Sequence, residues 1–96
     1  MYNWSPLSNV LKYEDEIIKN NVSVVARSKD GFLYNYKKYK TANNMKNKIV
    51  PNEKQTWEQK RNAFLARSVP QYKNNPTYRR WLSIIAWAYN QPKLHL

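Results

Sequence analysis

The stretch from residue 75 to residue 89, NPTYRRWLSIIAWAY, constrains the fold more than any other part of the chain. Asn75 and Pro76 are a typical N-cap and first helical residue, and the helical periodicity continues to about Tyr89. Apolar side chains cover most of the circumference of such a helix, so nearly every side of it needs covering by the rest of the chain. The remaining arc holds Arg79, Arg80, Ser83 and Trp87. This helix is therefore expected to be the central element of the core.

A second helical pattern precedes it and begins at Thr56. Thr56 and Gln59 have the spacing of a capping box, in which each side chain satisfies a free amide at the helix start. The polar run from residue 68 to residue 75 contains Pro70 and is predicted to be the loop between the two helices. We therefore expect a mainly α fold: a small single-domain helical bundle, residues 1–96, built around this C-terminal helix-loop-helix.

The composition agrees with a helical fold. A chain of 96 residues is the size of one domain, and its single glycine argues against a sandwich or barrel, whose tight turns need residues that tolerate positive φ. The absence of cysteine excludes disulfides and thiolate metal sites. No apolar run approaches the roughly 20 residues of a membrane span. We expect a protein of the cytoplasm, because the absence of cysteine fits an intracellular setting. A virion is the alternative, because the frequent Lys, Asn, Tyr and Ile are typical of AT-rich genomes such as those of many phages.

The N-terminal part contains one helical pattern and one ambiguous segment. Residues 5–19 predict a first helix, with an acidic triplet that indicates a break near Tyr13. Residues 22–40 fit a short β-hairpin around Gly31. They also fit a helix over residues 29–40, because apolar side chains recur there at helical spacing, and this alternative is preferred.

Two segments lack a clear pattern. Residues 41–55 are polar, rich in asparagine and basic, and are predicted to be a basic loop. Residues 91–96 are predicted to be a flexible tail.

The charge of the chain is large and unevenly distributed. The chain carries 17 Lys and Arg residues against 6 Asp and Glu residues, which gives a formal net charge of +11. Four bases balance four acids within residues 1–30, so the whole surplus lies in residues 31–96. Such asymmetry points to a polyanionic partner, either nucleic acid or an acidic protein surface.

Several residues are candidates for contact with this partner. Arg79 and Arg80 are unfavourable in the first turn of a helix, whose dipole prefers anions there, and a bound phosphate would reverse that penalty. Trp87 would be able to stack on a base or anchor a protein if it were exposed, although in a small aromatic-rich domain another segment is expected to cover it. The complete set is Lys37, Lys38, Lys40, Lys46, Lys48, Lys60, Arg61, Arg67, Tyr72, Lys73, Tyr78, Arg79, Arg80 and Trp87.

The sequence offers no catalytic constellation. The only histidine, His95, stands next to the last residue, and one glycine cannot form a phosphate-binding loop. Glu14, Asp15 and Glu16 are adjacent on a predicted helix, so their side chains diverge and cannot converge on a metal ion. We therefore expect neither an enzyme nor a cofactor or metal site.

Two functional hypotheses follow. The first is a small nucleic-acid-binding protein that contacts the phosphate backbone of DNA or RNA with little sequence specificity. The second is a protein-interaction module, such as a virion component, a ribosome-associated protein or an inhibitor of a host nucleic-acid enzyme, which docks a basic face on an acidic partner. The oligomeric state is not indicated by the sequence.

Overall fold

Helices make up most of the chain between residues 2 and 90, the part that this computed structural model describes. The mainly helical prediction is thereby confirmed. The predicted flexible tail, residues 91–96, lies outside the described residues. The elements are α1 (Leu7–Lys12), α2 (Glu14–Lys19), α3 (Val24–Arg27), α4 (Phe32–Tyr39), α5 (Ala42–Met45), α6 (Trp57–Asn74) and α7 (Tyr78–Ala86).

The β-hairpin considered for residues 22–40 is wrong. That region contains α3 and α4, and the only β-type pairings within residues 2–90 are two isolated bridges, between Trp4 and Tyr89 and between Ile49 and Thr56. The preferred alternative, a helix over residues 29–40, is confirmed by α4, which lies within that range. Phe32, Leu33 and Tyr36 are all buried on one face of this helix. The i, i+1, i+4 spacing of these side chains suits a helix and would divide them between the two faces of a strand.

Gly31 is needed for the close approach of α4 to α3. A Cβ atom at this position would lie 2.3 Å from the carbonyl oxygen of Val25 and 2.7 Å from that of Ala26. Its φ of −79° is one that any residue adopts, so the requirement is one of space and not of backbone conformation. The glycine that suggested a hairpin turn therefore joins two helices.

The predicted first helix is interrupted where the sequence indicated. Tyr13 separates α1 from α2, and its ring packs edge-on against Trp81 of α7 with centroids 4.9 Å apart. Val10 and Ile17, one from each helix, are fully buried. Both helices therefore contribute to the same core.

The predicted loop over residues 68–75 is wrong, because α6 continues through Pro70 to Asn74. Proline inside a helix costs about 3 kcal/mol, since it lacks an amide hydrogen and its ring crowds the carbonyl four residues earlier. Burial of Leu65, Val69 and Tyr72 on one side of α6 offsets this cost, because a break at residue 68 would withdraw Val69 and Tyr72 from the core. The capping box of Thr56 and Gln59 is present as predicted.

α7 is shorter at both ends than predicted. Its N-cap is Thr77, whose hydroxyl accepts a hydrogen bond from the amide of Arg80 at 3.1 Å. At the other end Ala88 adopts a left-handed φ of 58°. The amide of Tyr89 then donates to the carbonyl of Ile84 at 3.1 Å, and the amide of Ala88 donates to Ile85 at 2.9 Å. These two bonds form a Schellman motif, which usually has glycine at the left-handed position.

The segment predicted as a basic loop is more ordered than its composition suggests. It includes α5, and Met45 and Val50 are buried in the core. The carbonyl of Lys48 accepts a hydrogen bond from Trp57 at 3.0 Å, which attaches the segment to the start of α6.

A fully buried arginine, Arg61 of α6, joins the two ends of the described chain. Its guanidinium donates to the carbonyl oxygens of Trp87 (2.7 Å) and Ala88 (2.9 Å), which follow the C-terminal end of α7. It also donates to Tyr2 (2.8 Å) and Asn3 (3.0 Å) in the N-terminal segment.

The surroundings of Arg61 suit a cation. The ring centroid of Trp4 lies 4.3 Å from the guanidinium carbon, close enough for a cation–π interaction. Burial lowers the pKa of Arg61 to about 10, which is still far above neutrality, so the group is charged at pH 7 and all of these hydrogen bonds are charge-assisted. The positive charge also lies at the end of α7 where the helix dipole favours cations.

We predict that Arg61→Met lowers the free energy of unfolding by about 3–5 kcal/mol, because it removes four charge-assisted hydrogen bonds and leaves the carbonyls of Tyr2 and Trp87 without a donor among residues 2–90. Urea denaturation followed by circular dichroism measures the change. Arg67→Met removes the same charge from the exposed surface of the same helix and should change stability by less than about 0.5 kcal/mol. Equal effects of the two substitutions would contradict a structural role for Arg61.

We also predict that Pro70→Ala raises the free energy of unfolding by about 1–2 kcal/mol, because alanine restores the helical hydrogen bond to the carbonyl of Ala66. Pro6 precedes α1 at a φ of −59°, which suits proline, so Pro6→Ala should instead lower stability slightly. Urea denaturation of both variants tests the continuity of α6. A loss of stability in both would mean that residue 70 does not lie inside a helix.

Candidate functional site

Most of the positive charge on the described surface has no carboxylate partner. Two ion pairs are present within residues 2–90, one between Lys37 and Glu14 and one between Lys60 and Glu53. Hydrogen bonds, first from Gln55 and then from Lys60, lower the pKa of Glu53. The remaining surface lysines and arginines therefore project a net positive field.

Three of the predicted contact residues are buried. Arg61 is used inside the protein, Tyr72 lies in the core, and only 4% of the surface of Trp87 is exposed. The ring of Trp87 is stacked on Phe64, with centroids 4.6 Å apart, and packs on Phe32 at 4.9 Å. As expected for a small aromatic-rich domain, other segments cover this tryptophan, so its ring is not free to stack on a base.

Tyr78 is also committed to internal contacts. Its ring stacks on Trp81 at 5.9 Å, and its hydroxyl donates to a carboxylate oxygen of Glu16 at 3.2 Å. Burial, followed by this hydrogen bond, raises the pKa of Tyr78. We therefore place Tyr78 in the support of α7 against α2 and not on a binding surface.

The structure brings Lys38 and Lys48 together around Tyr39. Their ammonium nitrogens lie 5.5 Å and 5.9 Å from the centre of the tyrosine ring. Lys38 belongs to the last turn of α4, and Lys48 follows α5. These residues line a polar depression of about 520 Å³, which we call the Tyr39 depression. It is formed by Lys38, Tyr39, Asn43, Asn44, Asn47 and Lys48.

Local hydrogen bonds hold the Tyr39 depression in shape. Thr41 caps α5 by accepting a hydrogen bond from the amide of Asn44 at 3.2 Å, and the Asn44 side chain donates to the carbonyl of Tyr39 at 3.2 Å. Lys40 lies between the two helices with a left-handed φ of 72°. The depression is therefore an ordered feature, formed by the end of α4, by α5 and by the residues that follow α5.

The chemistry of the Tyr39 depression suits a nucleotide. Ammonium groups bind phosphate, a tyrosine ring stacks on a base, and carboxamides form hydrogen bonds with base edges or sugar hydroxyls. Tyr39 and the three asparagines were not among the predicted contact residues. An aromatic residue within the run Lys37–Lys40 was the signal in the sequence, because aromatic side chains among lysines are typical of nucleic-acid binding surfaces.

The first turn of α7 differs from the phosphate site predicted there. The guanidinium of Arg79 donates to the carbonyl oxygens of Asn20 and Asn21 at the end of α2, and that of Arg80 donates to Asn75 at 3.4 Å. These carbonyls compensate the arginine charges without a bound anion. Both arginines remain exposed and line a shallow depression with Ser23 and Ser83.

A more apolar groove lies beside that depression, between α3, α6 and α7. Its volume is about 470 Å³, and Ser23 and Ser83 line both cavities. We call it the α3–α6–α7 groove. Its principal residues are Val24, Val25, Lys60, Phe64, Arg67 and Trp87.

The predicted contact residues therefore do not form one continuous site. Lys38 and Lys48 meet at the Tyr39 depression, and Lys60 and Arg67 meet at the α3–α6–α7 groove. Lys73 lines a separate shallow depression with Pro70 and Asn74. Of the others, Lys37 pairs with Glu14, Lys40 is exposed, and Lys46 is half-buried.

Two further features of the described residues bear on the kind of site. Within residues 2–90, every helix is too short or too polar to cross a bilayer. In the same part of the chain, no three His, Cys, Asp or Glu side chains are grouped in a way that would hold a metal ion.

Comparison with known proteins found no matching family model, no matching curated protein and no matching solved structure.

Proposed function

We propose that this protein binds nucleic acid, chiefly through the phosphate backbone and with little sequence specificity. The proposal rests on the Tyr39 depression, where the ammonium groups of Lys38 and Lys48 lie near an aromatic ring and asparagine carboxamides line the same depression. No single phosphate or acidic side chain needs an aromatic ring. A polynucleotide uses all three kinds of group, because phosphate, sugar and base alternate along the strand.

The geometry favours a single strand. The tyrosine ring lines the depression, and a base reaches such a ring only when it is free of duplex stacking. Lys40 and Lys46 belong to the same segment of the chain and add to its positive charge, which attracts a phosphate backbone. The asparagines add hydrogen bonds without excluding any one base, which agrees with low specificity.

We predict that Lys38→Glu with Lys48→Glu weakens binding of a labelled oligonucleotide by about tenfold or more, because two phosphate contacts become repulsive. Fluorescence anisotropy between about 50 and 200 mM salt measures both the affinity and its salt dependence, and the magnitude of the log–log slope should fall by about 1.5.

The matched control for this variant is Lys19→Glu with Lys29→Glu, which makes the same change of net charge at two exposed positions in the electrically balanced N-terminal region. It should leave both the affinity and the slope close to those of the unmodified protein. If the two double variants weaken binding equally, the protein has only a diffuse positive field and no site at Tyr39.

We predict that Tyr39→Ala lowers affinity for single strands by about five- to a hundredfold with no change in the salt slope, because it removes a stacking surface and no phosphate contact. Tyr39→Phe keeps the ring and should bind normally. Tyr34→Ala truncates an exposed tyrosine elsewhere on α4 and is the control for a general effect of aromatic removal. The idea of stacking fails if Tyr39→Ala binds as tightly as Tyr34→Ala.

A further inference from the structure

The α3–α6–α7 groove exposes two adjacent aliphatic side chains. The exposed fraction is 53% for Val24 and 67% for Val25. Ala26 makes the core contact of this short helix and is fully buried. Valine is a weak helix former, so neither core packing nor helix propensity accounts for the two valines.

Aromatic rings form the other side of the groove. Phe64 of α6 is half-buried, and its ring stacks on Trp87 at the end of α7. The groove therefore offers aliphatic surface from Val24 and Val25 and aromatic surface from Phe64 and Trp87, around a volume of about 470 Å³. Such a pocket is typical of protein recognition and does not suit phosphate or sugar.

The rim of the groove is cationic. Within residues 2–90 the guanidinium of Arg67 is exposed and has no hydrogen-bond or ion-pair partner. Lys60 lies at the same rim but is paired with Glu53. Arg79 and Arg80 line the adjoining depression, where they donate to neutral backbone carbonyls and have no carboxylate partner among residues 2–90. No Asp or Glu of the described residues lines either cavity.

We propose that this groove binds a segment of another protein that carries large apolar side chains next to Asp or Glu residues. The apolar side chains would enter between Val25 and Phe64, and the carboxylates would pair with Arg67 and the neighbouring arginines. This site is separate from the Tyr39 depression, so the inference does not rest on nucleic-acid binding.

Charge and polarity argue against three other occupants of the groove: a second copy of this chain, the chain's own residues 91–96, and an oligonucleotide. A second copy of this chain carries a net charge of +11, and two of its acids, Glu14 and Glu16, are already engaged with Lys37 and Tyr78. The chain's own residues 91–96, QPKLHL, include a lysine and no acid. An oligonucleotide complements the charge, but gains little from contact with two valines.

The test uses ¹⁵N-labelled protein and a small panel of synthetic peptides. The first peptide combines Asp and Glu with Leu and Phe, the second replaces Leu and Phe by Ser, and the third replaces the acids by Lys. We expect the first alone to shift the amide signals of Ala26, Phe64 and Trp87. We also expect Val25→Asp to weaken its binding by about tenfold or more, because an unpaired charge would face the apolar side chains and repel the acids.

Matched substitutions distinguish a loss of binding at the groove from a general effect of an added negative charge. Ile18→Asp introduces the same charge at an aliphatic side chain that is 50% exposed on α2, and it should leave peptide binding unchanged. Arg67→Glu should weaken binding more than Lys19→Glu does. The variant with both Lys38→Glu and Lys48→Glu should bind the peptide almost as well as the unmodified protein, which distinguishes this site from the Tyr39 depression.

Several results would overturn the proposal. These are no amide shift with the first peptide, equal binding of the first and second peptides, or equal loss in Val25→Asp and Ile18→Asp. Displacement of the peptide by an oligonucleotide from the same amides would assign the groove to nucleic acid. Shifts of the groove amides on deletion of residues 91–96 would assign it to the chain's own tail, and dimerisation abolished by Val25→Asp would assign it to a second copy.

Discussion

The fold depends on one buried cation. Arg61 projects from α6 into a place where the N-terminal segment and the end of α7 leave four carbonyl oxygens facing inward, and it donates to all of them. A buried charge costs several kcal/mol unless it is fully hydrogen-bonded, so these distant parts of the chain must all be in place together. The ring of Trp4 covers the guanidinium, and the amide of Ser5 donates to Ala88 at 2.6 Å beside it.

This arrangement divides the positive charge into two kinds. The charge of Arg61 is structural, because four of its five N–H groups donate to backbone carbonyls and the side chain is fully buried. The charges that a partner meets belong to side chains at the surface, and the fold sorts them into chemically different settings. At the Tyr39 depression lysines surround an aromatic ring and carboxamides, and at the α3–α6–α7 groove an arginine and a lysine border aliphatic and aromatic surface. These two settings are the reason for two different proposals, a polynucleotide at the first and an acidic, partly apolar protein segment at the second.

Sequence reasoning succeeded where local patterns decide the structure. The capping box at Thr56 and the break at Tyr13 both depend on residues that are neighbours in the chain. Sequence reasoning failed where contacts between residues far apart in the chain decide the structure. Pro70 indicated a loop, but burial of Val69 and Tyr72 keeps α6 helical there. In the sequence Arg61 could not be distinguished from the surface arginines, because the carbonyls to which it donates belong to residues 26 or more positions away.

The sequence by itself determined that this protein is mainly helical, that α7 needs covering on most sides, and that the chain carries a large positive surplus, since periodicity and net charge are properties of the chain alone. Only the tertiary structure decided which charges and rings face outward. It buried Trp87 between Phe32 and Phe64, and placed Lys48 beside Tyr39, which precedes it by nine residues. The physical reason is that exposure depends on which surfaces of separate helices meet, and this follows from the packing of the whole core.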